Sequence, residues 1–325
     1  MKTLLVGYTA ADLFERAKHG KRVTASWLGD DVTCHCLDIY HRHAIEKAHH
    51  LRAICSPHLP KDDWDLIKFR TGPKLMSGEL ALDLLQEIHA LSPDASIWKR
   101  KGGKTQVEVD FVGRERDRND LIAKIAGDPS RVRNFAATWQ ASVPGGPTLE
   151  FTSFPGCFCH RRVDAGGLAL AEVASQSPRP ADGAVRVLDM GCGSGLVGLL
   201  MASVMPGISL VMVDSHSRAV EAATANAKAQ GVDAEIILAD NGIPARMDGT
   251  FDIFVGNPPY YSDYRIADVF LETAKRALKP GGACYTVCKN AAGLEPVQKR
   301  YFPKVETTMR RGYAVLKSVA ADSAT

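Results

Sequence analysis

The second half of the chain alternates short apolar runs with amphipathic stretches of helical length. The runs "AVRVLDM", "SLVMVD", "AEIILAD", "FDIFVGN" and "ACYTVCK" predict strands, because short apolar runs bounded by turn residues are typical of buried strands. Between them, "LVGLLMASV", "SRAVEAATANAKAQ" and "IADVFLETAKRAL" predict helices. Strands that alternate with helices of this length predict βαβ units around a mostly parallel sheet.

The first half repeats the order of elements found in the second. Residues 64–103 and 251–293 each contain an acidic-apolar strand, a loop, a helix, a turn and a strand. Such an internal repeat indicates one supersecondary unit built twice. Residues 3–17, "TLLVGYTAADLFERA", would then supply the first strand and helix of the earlier copy, and "ASWL" at 25–28 its second strand. The earlier copy lacks Gly-x-Gly-x-Gly and Asn-Pro-Pro, so we expect a degenerate α/β domain.

Length and turn residues indicate two domains. The chain has 325 residues, of which 45% are hydrophobic, enough for two cores. Turn-forming residues concentrate at "VPGGP", 143–147, and at "SQSPRPADG", 175–183, and either could divide the chain. We expect the boundary at the first, so that residues 1–146 form the degenerate domain and residues 147–325 the second domain. No apolar run approaches the ~20 residues of a membrane helix, and polar residues interrupt the N-terminal run too early for a signal peptide. We therefore expect a cytoplasmic protein with no membrane partner.

The cysteines and the net charge do not alter the expected fold or compartment. The eight cysteines lack a regular disulfide framework, so reduced thiols are expected. "CHC" at 34–36 and "CFCH" at 157–160 lack the two-residue spacer common in zinc sites, and no metal site is predicted. The formal charge of +3 is weak support for a polyanionic partner.

A glycine loop carries the strongest single motif. In "VLDMGCGSG", residues 187–195, a strand runs into glycines ahead of a helix, where glycines permit close ligand approach and the helix start supplies unpaired amides. The third glycine arrives one residue too early for the dinucleotide fingerprint. The candidate ligand-binding residues of this loop are Asp189, Gly191, Cys192, Gly193, Ser194 and Gly195.

Polar residues also end the next two strands. Asp214 and Ser215 follow "SLVMV", and Asp240 and Asn241 follow "AEIILA". An acidic residue at the position of Asp214 can accept hydrogen bonds from both hydroxyls of a ribose. Each of these residues alone would be a turn former or helix cap. Because parallel strands end at one edge of a sheet, together they predict a nucleoside site.

Taken together, "LDMGCGSG", "VMVDSHS", "ILADNG" and "FDIFVGNPPYYS" resemble the Rossmann-like S-adenosylmethionine-dependent methyltransferases over residues 183–320. The resemblance implies a seven-stranded sheet, a glycine loop that wraps the methionine part of S-adenosylmethionine, Asp214 at the ribose, and Asp240 with Asn241 at the adenine. Asn-Pro-Pro-Tyr implies methylation of a planar nitrogen.

The chemistry expected of that loop assigns a role to each residue. The side-chain oxygen of Asn257 and the carbonyl of Pro258 would accept the two N–H bonds of the target nitrogen. Pro259 would keep the loop stiff, and Tyr260 would stack on the base. Asn257 would also border the cofactor.

A longer segment narrows the resemblance. "FPGCFCHRRVDAGGLALAEVA", residues 154–174, is similar to the C-type ribosomal RNA guanine-N2 methyltransferases that act on the small subunit and to their large-subunit relatives. That family has a degenerate methyltransferase-like N-terminal domain, so the resemblance implies a scaffold or RNA-binding role for residues 1–146. It also implies action on ribosomal RNA or a ribosomal subunit, with Phe158 and Asp164 near the pocket. We expect a monomer.

The alternatives concern the target. Tyr260 stands where the guanine-specific group usually has Phe, and tyrosine is usual in adenine-N6 and protein-glutamine methyltransferases. A non-catalytic RNA-binding assembly factor that keeps a cofactor pocket is a further alternative. The intact Gly191, Gly193, Asp214 and Asn257 argue against it, because a decayed site should lose such residues.

Overall fold

The chain divides into two compact units in the computed structural model. The residues described are 1–16, 22–91, 106–126, 132–178, 185–259 and 264–321, with no side-chain description for residues 16, 22 and 122–126. The units are Met1–Ala136 and Ala137–Thr325. The boundary expected after residue 146 lies between two strands, Ala137–Ala141 and Leu149–Ser153, that pair antiparallel. Hydrogen bonds between these strands keep the hairpin in one unit.

The first unit is built on a five-stranded parallel sheet. Its elements are β1 (Lys2–Val6), a 3-10 helix (Ala10–Leu13), β2 (Phe14–Arg16), β3 (Arg22–Thr24), β4 (Asp31–Cys36), α1 (Ile39–His49), β5 (Arg52–Cys55), β6 (Leu66–Thr71), α2 (Gly78–Leu91), β7 (Gln106–Phe111) and α3 (Glu115–Ala126). The sheet order is β5-β4-β1-β6-β7, with β2 and β3 as a separate antiparallel pair. Leu84 and Ile88 of α2 pack against Leu4, Ile67 and Phe69 of the sheet.

Two predictions for the first unit are wrong. Residues 3–17 contain β1 as expected, but a 3-10 turn and β2 follow it instead of an α-helix, because Phe14–Arg16 pairs with Arg22–Thr24 and this pairing overrides local helix propensity. "ASWL" forms a turn, and the strand beside β1 is β4. The strand expected around residues 95–103 lies outside the described residues.

The second unit contains the longer sheet. Its elements are β8 (Ala137–Ala141), β9 (Leu149–Ser153), α4 (Ala165–Ala174), β10 (Arg186–Met190), α5 (Leu196–Val204), β11 (Ser209–Asp214), α6 (Ser217–Ala229), β12 (Ala234–Leu238), a 3-10 helix (Ala245–Met247), β13 (Phe251–Gly256), α7 (Arg265–Ala277), β14 (Leu278–Cys288), α8 (Ala291–Lys299), β15 (Glu306–Arg310) and β16 (Tyr313–Val319). The predicted alternation of strands and helices is confirmed, although "KPGG" lies within β14 rather than before it.

The two sheets share one strand order, which confirms the internal repeat. The seven strands of the second sheet are ordered β12-β11-β10-β13-β14-β16-β15. Their first five positions match β5-β4-β1-β6-β7, and all five are parallel in both sheets. The strands β16 and β15 add an antiparallel edge to the second sheet alone.

The strand order of the second unit determines where a ligand can bind. Apolar residues of β10 lie on both faces of the sheet, with Val187 packed towards α4 and α5 and Leu188 towards α7. The sheet order reverses at β10, because β11 lies on one side and β13 on the other. Open α/β sheets bind ligands at the carboxyl ends of the strands beside such a reversal.

Candidate active site

The loop between β10 and α5 follows a backbone path that glycine permits. Gly191, Gly193 and Gly195 have φ angles of 70°, 55° and 85°, in the left-handed region that residues with a Cβ rarely adopt. A Cβ at Gly193 would meet no described atom within 4 Å. A Cβ at Gly191 would lie 2.7 Å from the ring of Phe270. The loop is therefore packed tightly at its start and open at its centre.

Asp189, the acidic residue ahead of this loop, is buried. Its side-chain Oδ2 accepts a hydrogen bond from the backbone N–H of Gly198 at 2.8 Å. Burial raises the pKa of Asp189 to about 7; the Gly198 hydrogen bond opposes this rise and the charge of Asp214 adds to it. The structure therefore places Asp189 where it supports the first turn of α5.

Asp214 ends β11 directly beside the glycine loop. Its Oδ2 accepts a hydrogen bond from the backbone N–H of Gly193 at 2.8 Å, and its Oδ1 accepts one from the N–H of His216 at 2.9 Å. Asp214 thus fixes the glycine loop at the edge of the sheet where the sequence predicts a ribose.

The end of β12 lies next to Asp214. Leu238 is opposite Asp214 in the parallel register, and the backbone N–H of Ala239 donates to the Asp214 carbonyl at 3.0 Å. Asp240 is half-buried and Asn241 is exposed immediately after this bond. The residues predicted to contact an adenine are therefore adjacent in space to the predicted ribose acid, and Ser215 follows Asp214 on the same edge.

The Asn-Pro-Pro segment leaves β13 on the other side of the glycine loop. Gly256, the last residue of β13, is opposite Met190, the last residue of β10. Asn257 is half-buried, and its Nδ2 donates a hydrogen bond to Oδ2 of Asp164 at 2.7 Å. Pro258 is buried. The predicted stacking residue Tyr260 lies outside the residues that the structure describes.

Two residues that the sequence did not single out hold these loops in place. The amide of Asn226, buried in α6, accepts from the N–H of Thr152 and donates to the Thr152 carbonyl, both at 2.8 Å, and donates to the carbonyl of Ser194 at 2.9 Å. Phe270 of α7 packs against Gly191, and a Cβ at Gly256 would also lie 2.8 Å from its ring. No local sequence pattern marks such long-range contacts.

The cysteine motifs lie in packed surroundings. Cys34 and Cys36 are buried in β4, and burial raises the pKa of both thiols to about 12. Burial also raises the pKa of Cys157 to about 11. Across the described ranges, no group of His, Cys, Asp and Glu side chains could hold a metal ion. Within the same ranges, every helix is too short or too polar to cross a membrane.

The fold and this edge of the sheet define a Rossmann-like α/β protein with a nucleoside-type site beside an Asn-Pro-Pro loop. The sequence profile of the methyltransferase small domain family matches residues 148–317. The chain belongs to this family and is a methyltransferase by that membership.

One of two relatives and one solved structure match a larger share of the chain than that domain. Ribosomal RNA small subunit methyltransferase C from Pseudomonas paraeruginosa is 31% identical over 247 residues, 71% of this chain and 72% of the relative. The protein of the same name from Pseudoalteromonas translucida is 32% identical over 176 residues, 52% of this chain and half of the relative. The T. thermophilus 16S rRNA N2 methyltransferase, solved with AdoMet and guanosine, has a TM-score of 0.72 at 18% identity and covers 98% of this chain and 88% of its own.

Proposed function

We propose that this protein transfers a methyl group from S-adenosylmethionine to an exocyclic base nitrogen of ribosomal RNA, with guanine N2 as the target. The family assignment supports the reaction class. The names of the relatives support ribosomal RNA, and the guanosine bound to the T. thermophilus enzyme supports the base. We further propose that the protein is monomeric and acts in the cytoplasm.

One observation carries the proposal. The glycine loop and the Asn-Pro-Pro loop leave neighbouring parallel strands at positions that are opposite in register, Met190 and Gly256. A ligand held by the first loop therefore lies beside a target held by the second. Holding two reactants in this way converts a bimolecular step into one within a complex.

The residues of the first loop fit a nucleoside cofactor. The open space beside Gly193 admits a ligand close to the backbone, and the carboxylate of Asp214 lies directly beside it, bonded to the N–H of Gly193. We assign Asp214 and Ser215 to the ribose, Asp240 and Asn241 to the adenine, and the loop residues Gly191, Cys192, Gly193, Ser194 and Gly195 to the methionine part. S-adenosylmethionine supplies a methyl group on a positively charged sulfur.

Asn257 and Pro258 act on the target nitrogen. The lone pair of an exocyclic amine is delocalised into the ring, which makes the nitrogen a weak nucleophile. Hydrogen bonds from its two N–H groups to Oδ1 of Asn257 and to the carbonyl of Pro258 localise that lone pair and direct it at the methyl group. They also stabilise the positive charge that develops on nitrogen. Pro259 limits loop motion, so these acceptors need little reorganisation.

Calorimetric titration with S-adenosylmethionine tests the cofactor site. Wild-type protein should bind, and Asp214→Ala should bind at least tenfold more weakly, because hydrogen bonds to a charged group contribute about 1.5–3 kcal/mol each. Asp233→Ala removes an exposed carboxylate from the same unit and should leave the Kd unchanged. Absence of binding by the wild-type protein at high concentration would reject the proposal.

Mass spectrometry of nucleosides tests the target. Ribosomal RNA from cells that lack this protein is incubated with the protein and methyl-labelled S-adenosylmethionine, then digested to nucleosides. We expect label in N2-methylguanosine. Label only in N6-methyladenosine would replace guanine by adenine as the target, and label only in protein would remove RNA from the proposal.

A further inference from the structure

The carboxylate of Asp164 serves two parts of the second unit at once. It caps α4, because its Oδ1 accepts from the N–H of Gly166 at 3.0 Å and its Oδ2 from the N–H of Gly167 at 2.9 Å. The same Oδ2 accepts the 2.7 Å hydrogen bond from Nδ2 of Asn257. One carboxylate therefore connects the start of a helix to the Asn-Pro-Pro loop.

This contact decides which end of the Asn257 amide faces the target. The oxygen and nitrogen of an amide have nearly the same shape, so only their hydrogen-bond partners select one orientation. An ionised carboxylate can only accept. Rotating the amide by 180° would place Oδ1 of Asn257 against Oδ2 of Asp164 and would direct an NH2 group at the N–H bonds of the target.

The surroundings leave the carboxylate little freedom. A Cβ at residue 167 would lie 2.8 Å from Oδ2 of Asp164, and a Cβ at residue 166 would lie 3.2 Å from the ring of Tyr313. Glycines at these positions therefore let the carboxylate lie directly over the first turn of α4. Two backbone donors and one side-chain donor fix it there, and the N-terminus of the helix favours a negative group.

We propose that Asp164 is a positioning residue, which holds the Asn257 amide so that Oδ1 accepts from the target nitrogen. This inference rests on the proposed function of Asn257. Asp164 does not touch the reacting atoms in this role; it acts through Asn257. Its loss should therefore lower the rate of methyl transfer more than it weakens the binding of either substrate.

Asp164→Ser separates positioning from helix capping. Serine caps helices well, but its single oxygen is too close to the backbone to hold Asn257 as well. We expect kcat to fall about 10- to 100-fold, the range that follows from losing a hydrogen bond to a charged group. The Kd for S-adenosylmethionine and the KM for RNA should change less than threefold.

Asp38→Ser is the matched control. Asp38 caps α1 in the first unit by accepting from the N–H of Tyr40 at 2.8 Å. If Asp164 serves only as a cap, both serine variants should lose similar stability and neither should lose kcat specifically. Equal kcat values for Asp164→Ser and Asp38→Ser would overturn the inference.

A double-mutant cycle gives an independent readout. In an Asn257→Ala background, Asp164→Ser should lower the single-turnover rate no further, because the residue through which Asp164 acts is absent. Multiplicative effects of the two substitutions would contradict the inference. Failure of the proposed function is distinguishable, because the wild-type protein would then leave no label in N2-methylguanosine, whereas failure of this inference leaves wild-type activity intact.

Discussion

Asp189 allows a test of how burial of a carboxyl group couples the stability of the second unit to pH. It lies beneath the glycine loop, 2% exposed, with the N–H of Gly198 as its hydrogen-bond donor. Asp189→Asn keeps an oxygen for that donor but carries no charge at any pH. The substitution therefore removes the titration and preserves the shape of the side chain.

The magnitude follows from the two pKa values of Asp189. Burial raises its pKa from the ordinary 3.8 to about 7 in the folded protein. At about 1.36 kcal/mol per pKa unit, ionisation in the folded state costs about 4 kcal/mol. Because the folded pKa is the higher one, this stability is fully present below pH 4 and is lost as the pH rises towards 7.

Urea unfolding between pH 4 and pH 8 measures the effect. The free energy of unfolding of Asp189→Asn, minus that of the wild type, should rise by about 4 kcal/mol across this range. Hydrogen exchange of the amides in Arg186–Met190 assigns the transition to the second unit. A difference for Asp189→Asn that does not change with pH would refute the reasoning.

Two further substitutions test the supports of the site. Asn226→Ala should lower the free energy of unfolding by about 3 kcal/mol, about 1 kcal/mol for each lost hydrogen bond, and should weaken S-adenosylmethionine binding. The control Asn290→Ala, which removes an exposed cap of α8, should leave that affinity unchanged. Equal affinities of Asn226→Ala and the wild type in calorimetric titration would contradict the prediction. Burial raises the pKa of Glu172, but hydrogen bonds from Arg311 and Arg310 more than offset it and hold the pKa below its usual value. As the pH falls below 5, the free energy of unfolding of the wild type should therefore decrease more than that of Glu172→Gln. If the two proteins unfold in acid along the same curve, the pairing of Glu172 with the arginines contributes nothing to stability.

The sequence predicts much of the second unit well because the central strands β10, β11 and β13 are largely apolar and the loops after them are marked by glycine and proline. The helix of residues 196–204 and the strand of residues 209–214 have the predicted bounds. The first unit is predicted less well. The strand β4, Asp31–Cys36, is buried from residue 32 onwards, yet Thr33 and His35 interrupt its apolar residues, so it lacks the continuous apolar run that is typical of a strand buried on both faces. Pairing of β2 with β3 replaced the expected helix after β1.

The sequence predicts which residues lie at the candidate site, but it does not predict the hydrogen bonds that join them. Strand order alone brings Asp214, Asp240 and Asn257 to one edge, because their strands are parallel and only β10 separates β11 from β13. The tie between Asp164 and Asn257 joins residues 93 positions apart. Nothing in the local sequence states which acidic residue the amide of Asn257 meets, since that choice depends on how α4 packs beside the completed sheet.

The position of β16 has a consequence for how the protein is made. This strand follows every other strand of the second sheet in chain order, yet it lies between β14 and β15. The turn before it carries Arg311, which pairs with Glu172 on α4. Domains generally fold as units during translation, so we expect the sheet of the second unit to reach its full strand order only after β16 has left the ribosome.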